Sequence, residues 1–266
     1  MSKRTLDVRQ QSFGFPDEDL KTSLHDEIVL WLKRNAEEIC RQLIGWTQTW
    51  DPQLIESNRK RAAATVASRL DLLRESLKKD KSRFEAINRG ESRFYMTEDL
   101  EKRIKAMEAE LTFLHSWHGL REPPAAKLDV RCELEQTILR RRYGYDPTDI
   151  AGYADVVLSV RVLRLTAGIT PSDDYGRPYL GVDARRYAEW NAYWSDYRSF
   201  AFEAKTTIRS LGELIRQLKA YRAYLKVPLY AVSADSRFAK EISDEGFGFI
   251  RYPDAMITFP KSFIRH

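Results

Sequence analysis

The sequence predicts an α/β fold in which an α-β-β-β-α-β core with a mixed sheet follows an N-terminal helical region. Three observations predict it. Apolar residues keep a helical period over the first part of the chain, the period becomes two after Pro123-Pro124, and strand and helix patterns alternate toward the end. The expected division is a helical region over 1–95 and an α/β domain over 96–266.

Each element has its own signal. Leu24, Ile28, Trp31, Leu32, Ile39 and Leu43 form one helical stripe closed by Gly45. Asp51-Pro52 reads as an N-cap with proline at the first helical position, opening a helix through Ala62, Val66, Leu73 and Leu77. A further helix starts at Thr97, with Glu98 and Asp99 in its first turn and Leu100, Ile104, Met107, Leu111 and Leu114 on one face. Val130, Cys132, Leu134, Gln136 and Ile138 alternate with Asp129, Arg131, Glu133 and Glu135, a strand with one polar face. A turn over 143–149 precedes a second strand from Tyr153 to Leu165, and 166–185 reads as a long loop. The aromatic stretch Trp190, Tyr193, Trp194 and Tyr197 is read as packing an insertion onto the domain rather than stacking bases. A third strand, Ser199 to Lys205, leads into a helix from Ser210 to Leu225. A strand over Leu229–Ser233, a helix over Asp235–Glu245 and a strand over Phe249–Tyr252 follow, giving a meander and one crossover.

Composition narrows the function classes. The 266 residues are 43% hydrophobic and 31% charged, which supports a folded core. The strongest apolar run, Ile28 to Leu32, is far shorter than the ~20 residues of a bilayer span, and no secretory signal is expected. Cys40 and Cys132 belong to no C-x-x-C pair, so a cytoplasmic location is expected and a cysteine metal site is not. His115 and His118 stand at i, i+3, and their place at a helix C-terminus is preferred to a metal pair. No phosphate-binding glycine loop occurs, so no nucleotide cofactor is expected. The net charge of +5 is compatible with a phosphate-rich partner.

Five polar residues fall on this core. Asp155 lies at the start of the second strand. Glu203 and Lys205 are two apart on the third strand and share a face, while Phe200, Phe202 and Ala204 share the other. Gln217 and Tyr221 are i, i+4 on the next helix, beside the stripe of Leu211, Leu214, Ile215 and Leu218. If the second and third strands pair, Asp155 approaches Glu203, and two carboxylates near one point suit a hard cation such as magnesium or manganese.

The set Ala154-Asp155, Phe202-Glu203-Ala204-Lys205 and Gln217-Leu218-Lys219-Ala220-Tyr221 resembles the PD-(D/E)xK nuclease superfamily. Gln217 and Tyr221 look like the Q-x-x-x-Y motif of its RecB-type branch. The resemblance covers residues 97 to about 252, and Ala154 stands where the motif's proline would be. There is a lesser similarity to transposon end-cleaving endonuclease subunits. Glu203-Ala204-Lys205 is the sole E-x-K triplet and Gln217/Tyr221 the sole Q-x-x-x-Y in the chain.

The resemblance implies a restriction-endonuclease-like core and a Mg2+- or Mn2+-dependent DNA nuclease, more an endonuclease than an exonuclease. It implies Asp155 and Glu203 as metal ligands, with Glu110, or nearly as well Glu108, as a further acidic ligand from the preceding helix. It implies Lys205 as assisting water activation or stabilising the transition state, the electrostatic role being preferred, and Gln217 and Tyr221 as groups that position the water, Lys205 or the phosphate. Arg209, Arg216, Lys219 and Arg222 would contact DNA phosphates. A homodimer or a protein partner is compatible with double-strand cleavage. The competing readings are a non-cleaving nucleic-acid-binding or assembly subunit on the same fold, and an RNA nuclease.

Overall fold

The computed structural model of the chain describes residues 23–90, 97–140, 149–168 and 185–261. The turn expected over 143–149 and most of the loop expected over 166–185 lie outside the described residues. Two compact units are formed, one of Met1–Thr47, Leu128–Val162 and Asp196–His266, the other of Gln48–Lys127 and Leu163–Ser195. This differs from a division at 95/96, and the reason lies in the sheet.

The helices are α1 (Ser23–Arg34), α2 (Ala36–Ile44), α3 (Pro52–Asn88), α4 (Thr97–His115), α5 (Arg185–Ala188), α6 (Leu211–Tyr224) and α7 (Ala239–Asp244). The strands are β1 (Leu128–Arg140), β2 (Asp149–Thr166), β3 (Asn191–Trp194), β4 (Arg198–Ala204), β5 (Leu229–Ser233), β6 (Gly248–Arg251) and β7 (Met256–Thr258). The fold is thus α/β, and the described strands make a mixed seven-stranded sheet in the order β1-β2-β4-β5-β6-β7, with β3 paired to β2 off this path. β1, β2 and β4 are antiparallel neighbours, whereas β4, β5 and β6 run parallel. The described strands β4, β5 and β6 are thus joined by two crossovers, through α6 and through α7, where the sequence reading expected one.

A parallel centre must be covered on both faces, and the alternation in β4 meets that need. Phe200, Phe202 and Ala204 pack with Val156, Leu158, Tyr230 and Val232 against Ile28, Leu32, Ile39 and Leu43 of α1 and α2. Ala201 packs on the other face with Val157, Ala231 and Phe249 against Leu214, Ile215, Leu218 and Tyr221 of α6 and Ile242 of α7. The stripe that opens the chain is thus one cover of the sheet rather than part of a separate helical region. It is broken at Asn35 into two helices, and Gly45 closes the second in the left-handed conformation. At Gly248 the ring of Tyr230 on β5 lies so close that an added Cβ would stand 2.0 Å from it.

The second unit is built on α3 and α4. Asp51 caps α3, its side chain accepting from the Gln53 amide at 2.8 Å, with Pro52 next. Val66, Leu73, Leu100, Ile104, Met107, Leu111 and Leu114 form its core with Tyr187. The aromatic insertion supplies a strand that the sequence did not show. β3 pairs with Leu163–Thr166 of β2, beyond the Val156–Val160 stretch that pairs with β4, so both pairings coexist. Tyr193 and Trp194 are exposed there rather than packed.

Candidate functional site

Strand register brings the distant residues together. Val156 is opposite Phe202 across the β2–β4 ladder, so Asp155 falls level with Glu203. The Asp155 carboxylate accepts the Ala204 amide through Oδ2 at 2.7 Å, which ties β2 to β4 at that level. The Lys205 amide donates to the Val232 carbonyl at 2.8 Å, so the ladder with β5 runs past the formal end of β4. Lys205 accordingly keeps to the side of Glu203, and its Nζ lies 2.9 Å from Glu203 Oε1.

Helix α6 completes the cluster. Gln217 Nε2 donates to Glu203 Oε1 and to the Tyr221 hydroxyl, the latter at 3.0 Å. The Tyr221 ring rests on β2 at Gly152, where an added Cβ would stand 2.8 Å from its Cε1. Glycine there lets the helix lie close enough for Gln217 to reach the strand. Burial, then the Glu203 charge, holds the Tyr221 phenol well above its ordinary pKa, so it stays protonated.

Glu203 is the electrostatic centre. It is buried, and its Oε1 takes both donors, while its Oε2 is buried and has no hydrogen-bond partner among the described residues. Burial, then the Asp155 charge, pushes the carboxyl up to about 7, against the pull of Lys205 and Gln217. A buried carboxylate oxygen without a donor is costly unless something else neutralises it.

His25 is the residue that sequence reasoning missed. From α1 it brings Nε2 to 3.5 Å from Asp155 Oδ1, with Nδ1 3.6 Å from Asp26. Its contact with Asp155 raises the imidazole pKa, against burial and together with the nearby Asp155 and Glu203 charges. The signal was present: His25, Ile28 and Leu32 are the buried residues of α1, at i, i+3 and i+7, so a histidine sits on an apolar stripe.

Asp155, Glu203, Lys205, Gln217 and Tyr221 are therefore gathered in one place, and Glu110 is not among them. Glu110 belongs to the other unit, where Arg69 grips it at 2.8 and 3.0 Å and the Tyr187 hydroxyl donates to it, all three side chains being buried. The apolar stripe of α4 turns this carboxylate into a helical core, where only a buried cation and a phenol can satisfy it. His115 Nε2 faces Arg74 Nη2 at 3.0 Å rather than a second histidine.

The basic residues of α6 have partners of their own. Arg216 Nε donates to the Gly212 carbonyl at 3.3 Å, Lys219 pairs with Glu245 at 2.7 Å, and Arg222 lies 4.5 Å over the Phe247 ring. Arg209 is exposed just before the helix.

Among the described residues no three His, Cys, Asp or Glu side chains gather as a metal set. Two carboxylates nevertheless match the usual holding of magnesium, which keeps several waters and takes one or two carboxylates. Glu203 Oε2 has no hydrogen-bond partner among the described residues, and the Asp155 charge acts on the same carboxyl. Comparison of the chain with models of known families, with curated proteins and with solved structures finds no match.

Proposed function

We propose that this chain is a divalent-metal-dependent DNA nuclease, an endonuclease with a restriction-endonuclease-like core. The supporting observation is the buried Glu203 carboxylate, which feels the Asp155 charge and has one oxygen held by Lys205 and Gln217 and the other without a hydrogen-bond partner among the described residues. Asp155 and Glu203 would hold magnesium or manganese through their carboxylates, with water completing the set. Such an ion, when bound, lowers the pKa of a water and neutralises charge on the attacked phosphate.

The chain's own residues do the rest. Lys205 balances the negative charge of the two carboxylates and presents its ammonium to a phosphate oxygen. Gln217 fixes the rotamer of Glu203, and Tyr221 fixes Gln217. Arg209, Arg216, Lys219 and Arg222 supply phosphate contacts along the substrate by exchanging their present partners.

The test is incubation with plasmid and linear DNA in magnesium, in manganese and in EDTA, beside Asp155→Ala and Lys205→Ala. Metal-dependent nicking or linearisation, lost in both variants, is expected. Cleavage that persists in EDTA or in both variants overturns the reading. A second reading, binding of nucleic acid without cleavage, draws on the lack of a third clustered metal-binding side chain among the described residues. Binding in every metal with no product would favour it.

A further inference from the structure

The residues that follow the parallel strands at the same end of the sheet carry a second polar group, outside the cluster just described. Parallel register aligns Ala204 with Val232 and Val232 with Ile250, and it pairs Ser233 with Arg251. Lys205, Ser233 and Arg251 therefore form one row across β4, β5 and β6. Alternation puts that row on the α6 face, since Ala231 and Phe249, two residues earlier, pack against α6 and α7. Arg251 thus stands two strand spacings from Lys205, about 10 Å across the sheet, on the same side as Glu203. In open α/β sheets, ligands bind at the carboxyl ends of parallel strands.

The surroundings of Arg251 suit an exchangeable anion. Its Nε and Nη2 both meet one oxygen, Asp254 Oδ2, the former at 2.7 Å, while Asp254 Oδ1 accepts from the Met256 amide at 3.3 Å. The Arg251 side chain is 38% exposed and that of Asp254 45%, and an ion pair as open as this is held weakly. A phosphate offers the guanidinium the bidentate geometry that a single carboxylate oxygen does not. The neighbouring loop adds Arg237, which is exposed and paired with Asp235, a residue whose Oδ2 also accepts the Ile208 amide at 3.3 Å from the segment after Lys205.

We infer that Arg251 is a phosphate-binding residue for the nucleic-acid backbone flanking the bond held at Asp155 and Glu203, with Asp254 as the internal carboxylate that the phosphate displaces. This rests on the phosphodiesterase reading and extends it to a subsite on β6, a strand that carries none of the cluster's side chains.

The test measures binding of a fluorescein-labelled DNA duplex by anisotropy in EDTA, across a salt series, for the full chain and three variants. Arg251→Ala is expected to weaken binding about tenfold and to lower the slope of log Kd against log salt by about one. Arg251→Lys is expected to keep the slope while losing part of the affinity. Asp254→Asn, which retains the acceptor for Met256, is expected to tighten binding. Unchanged affinity and slope in Arg251→Ala, beside a wild-type protein that binds and cleaves, overturns the subsite and leaves the nuclease reading standing. A wild-type protein that neither binds nor cleaves in any metal overturns both.

Discussion

Glu203 makes the apo protein sensitive to pH in a direction opposite to most carboxylates. Its pKa is about 7 in the fold, above the ordinary 4.5, so the native state binds more protons than the unfolded chain between those values. Stability is therefore full below about 4.5 and falls as pH rises toward 7. His25 acts in the same sense, because its raised pKa favours the charged imidazole, and that contribution is lost as pH rises through the folded value. Thermal melts in EDTA are expected to give a higher Tm at pH 5 than at pH 8 for the wild type, with a smaller difference in Glu203→Gln. Added magnesium or manganese at pH 8 is expected to raise Tm in the wild type and not in that variant, since a ligand stabilises only the state that binds it. An equal metal response in both proteins would remove Glu203 from the binding site.

Packing of whole elements sets the positions of these side chains. α6 lies against β2 only because residue 152 has no Cβ, so Gly152→Ala must move the Tyr221 ring. About 1–3 kcal/mol of destabilisation is expected from such overpacking, together with a loss of kcat larger than any change in KM, because Gln217 shifts with its helix. Gly248→Ala is the harsher case, with Tyr230 ring atoms at 2.0 Å, and is expected to cost more than 3 kcal/mol or to prevent folding, as read by urea denaturation. In the other unit, Glu110→Ala strands Arg69 in a buried position. Removing one partner of a buried pair costs about 3–5 kcal/mol, so the variant is expected to lose Tm while its Tm response to magnesium is unchanged. A lost metal response in Glu110→Ala would restore this residue to the site.

The whole molecule carries +5, and the proposed substrate is a polyanion, so salt should weaken binding throughout. The double variant Arg216→Ala/Lys219→Ala is expected to reduce the salt slope by less than two, because Lys219 must first leave Glu245; an unchanged slope removes both from the interface. Each unit is assembled from segments distant along the chain, and this limits what the sequence can disclose. The long helices and the central strands, the shared face of Glu203 and Lys205 and the stacking of Gln217 on Tyr221 were legible, because they follow from local periods of two and 3.6. The break at Asn35, the strands β3 and β7 and the second crossover were not, since strand pairing and partner choice leave no mark on the local period. Glu110 shows the limit most plainly: its helix and its face were readable, yet whether it meets a metal, a solvent shell or Arg69 is fixed by what packs against that face. The sequence by itself determined which side chains each element offers and on which side. The tertiary structure alone decided that His25 joins Asp155, that Glu110 joins Arg69, and that one oxygen of Glu203 is left open, because contacts between remote segments are set by strand register and helix docking rather than by local periodicity.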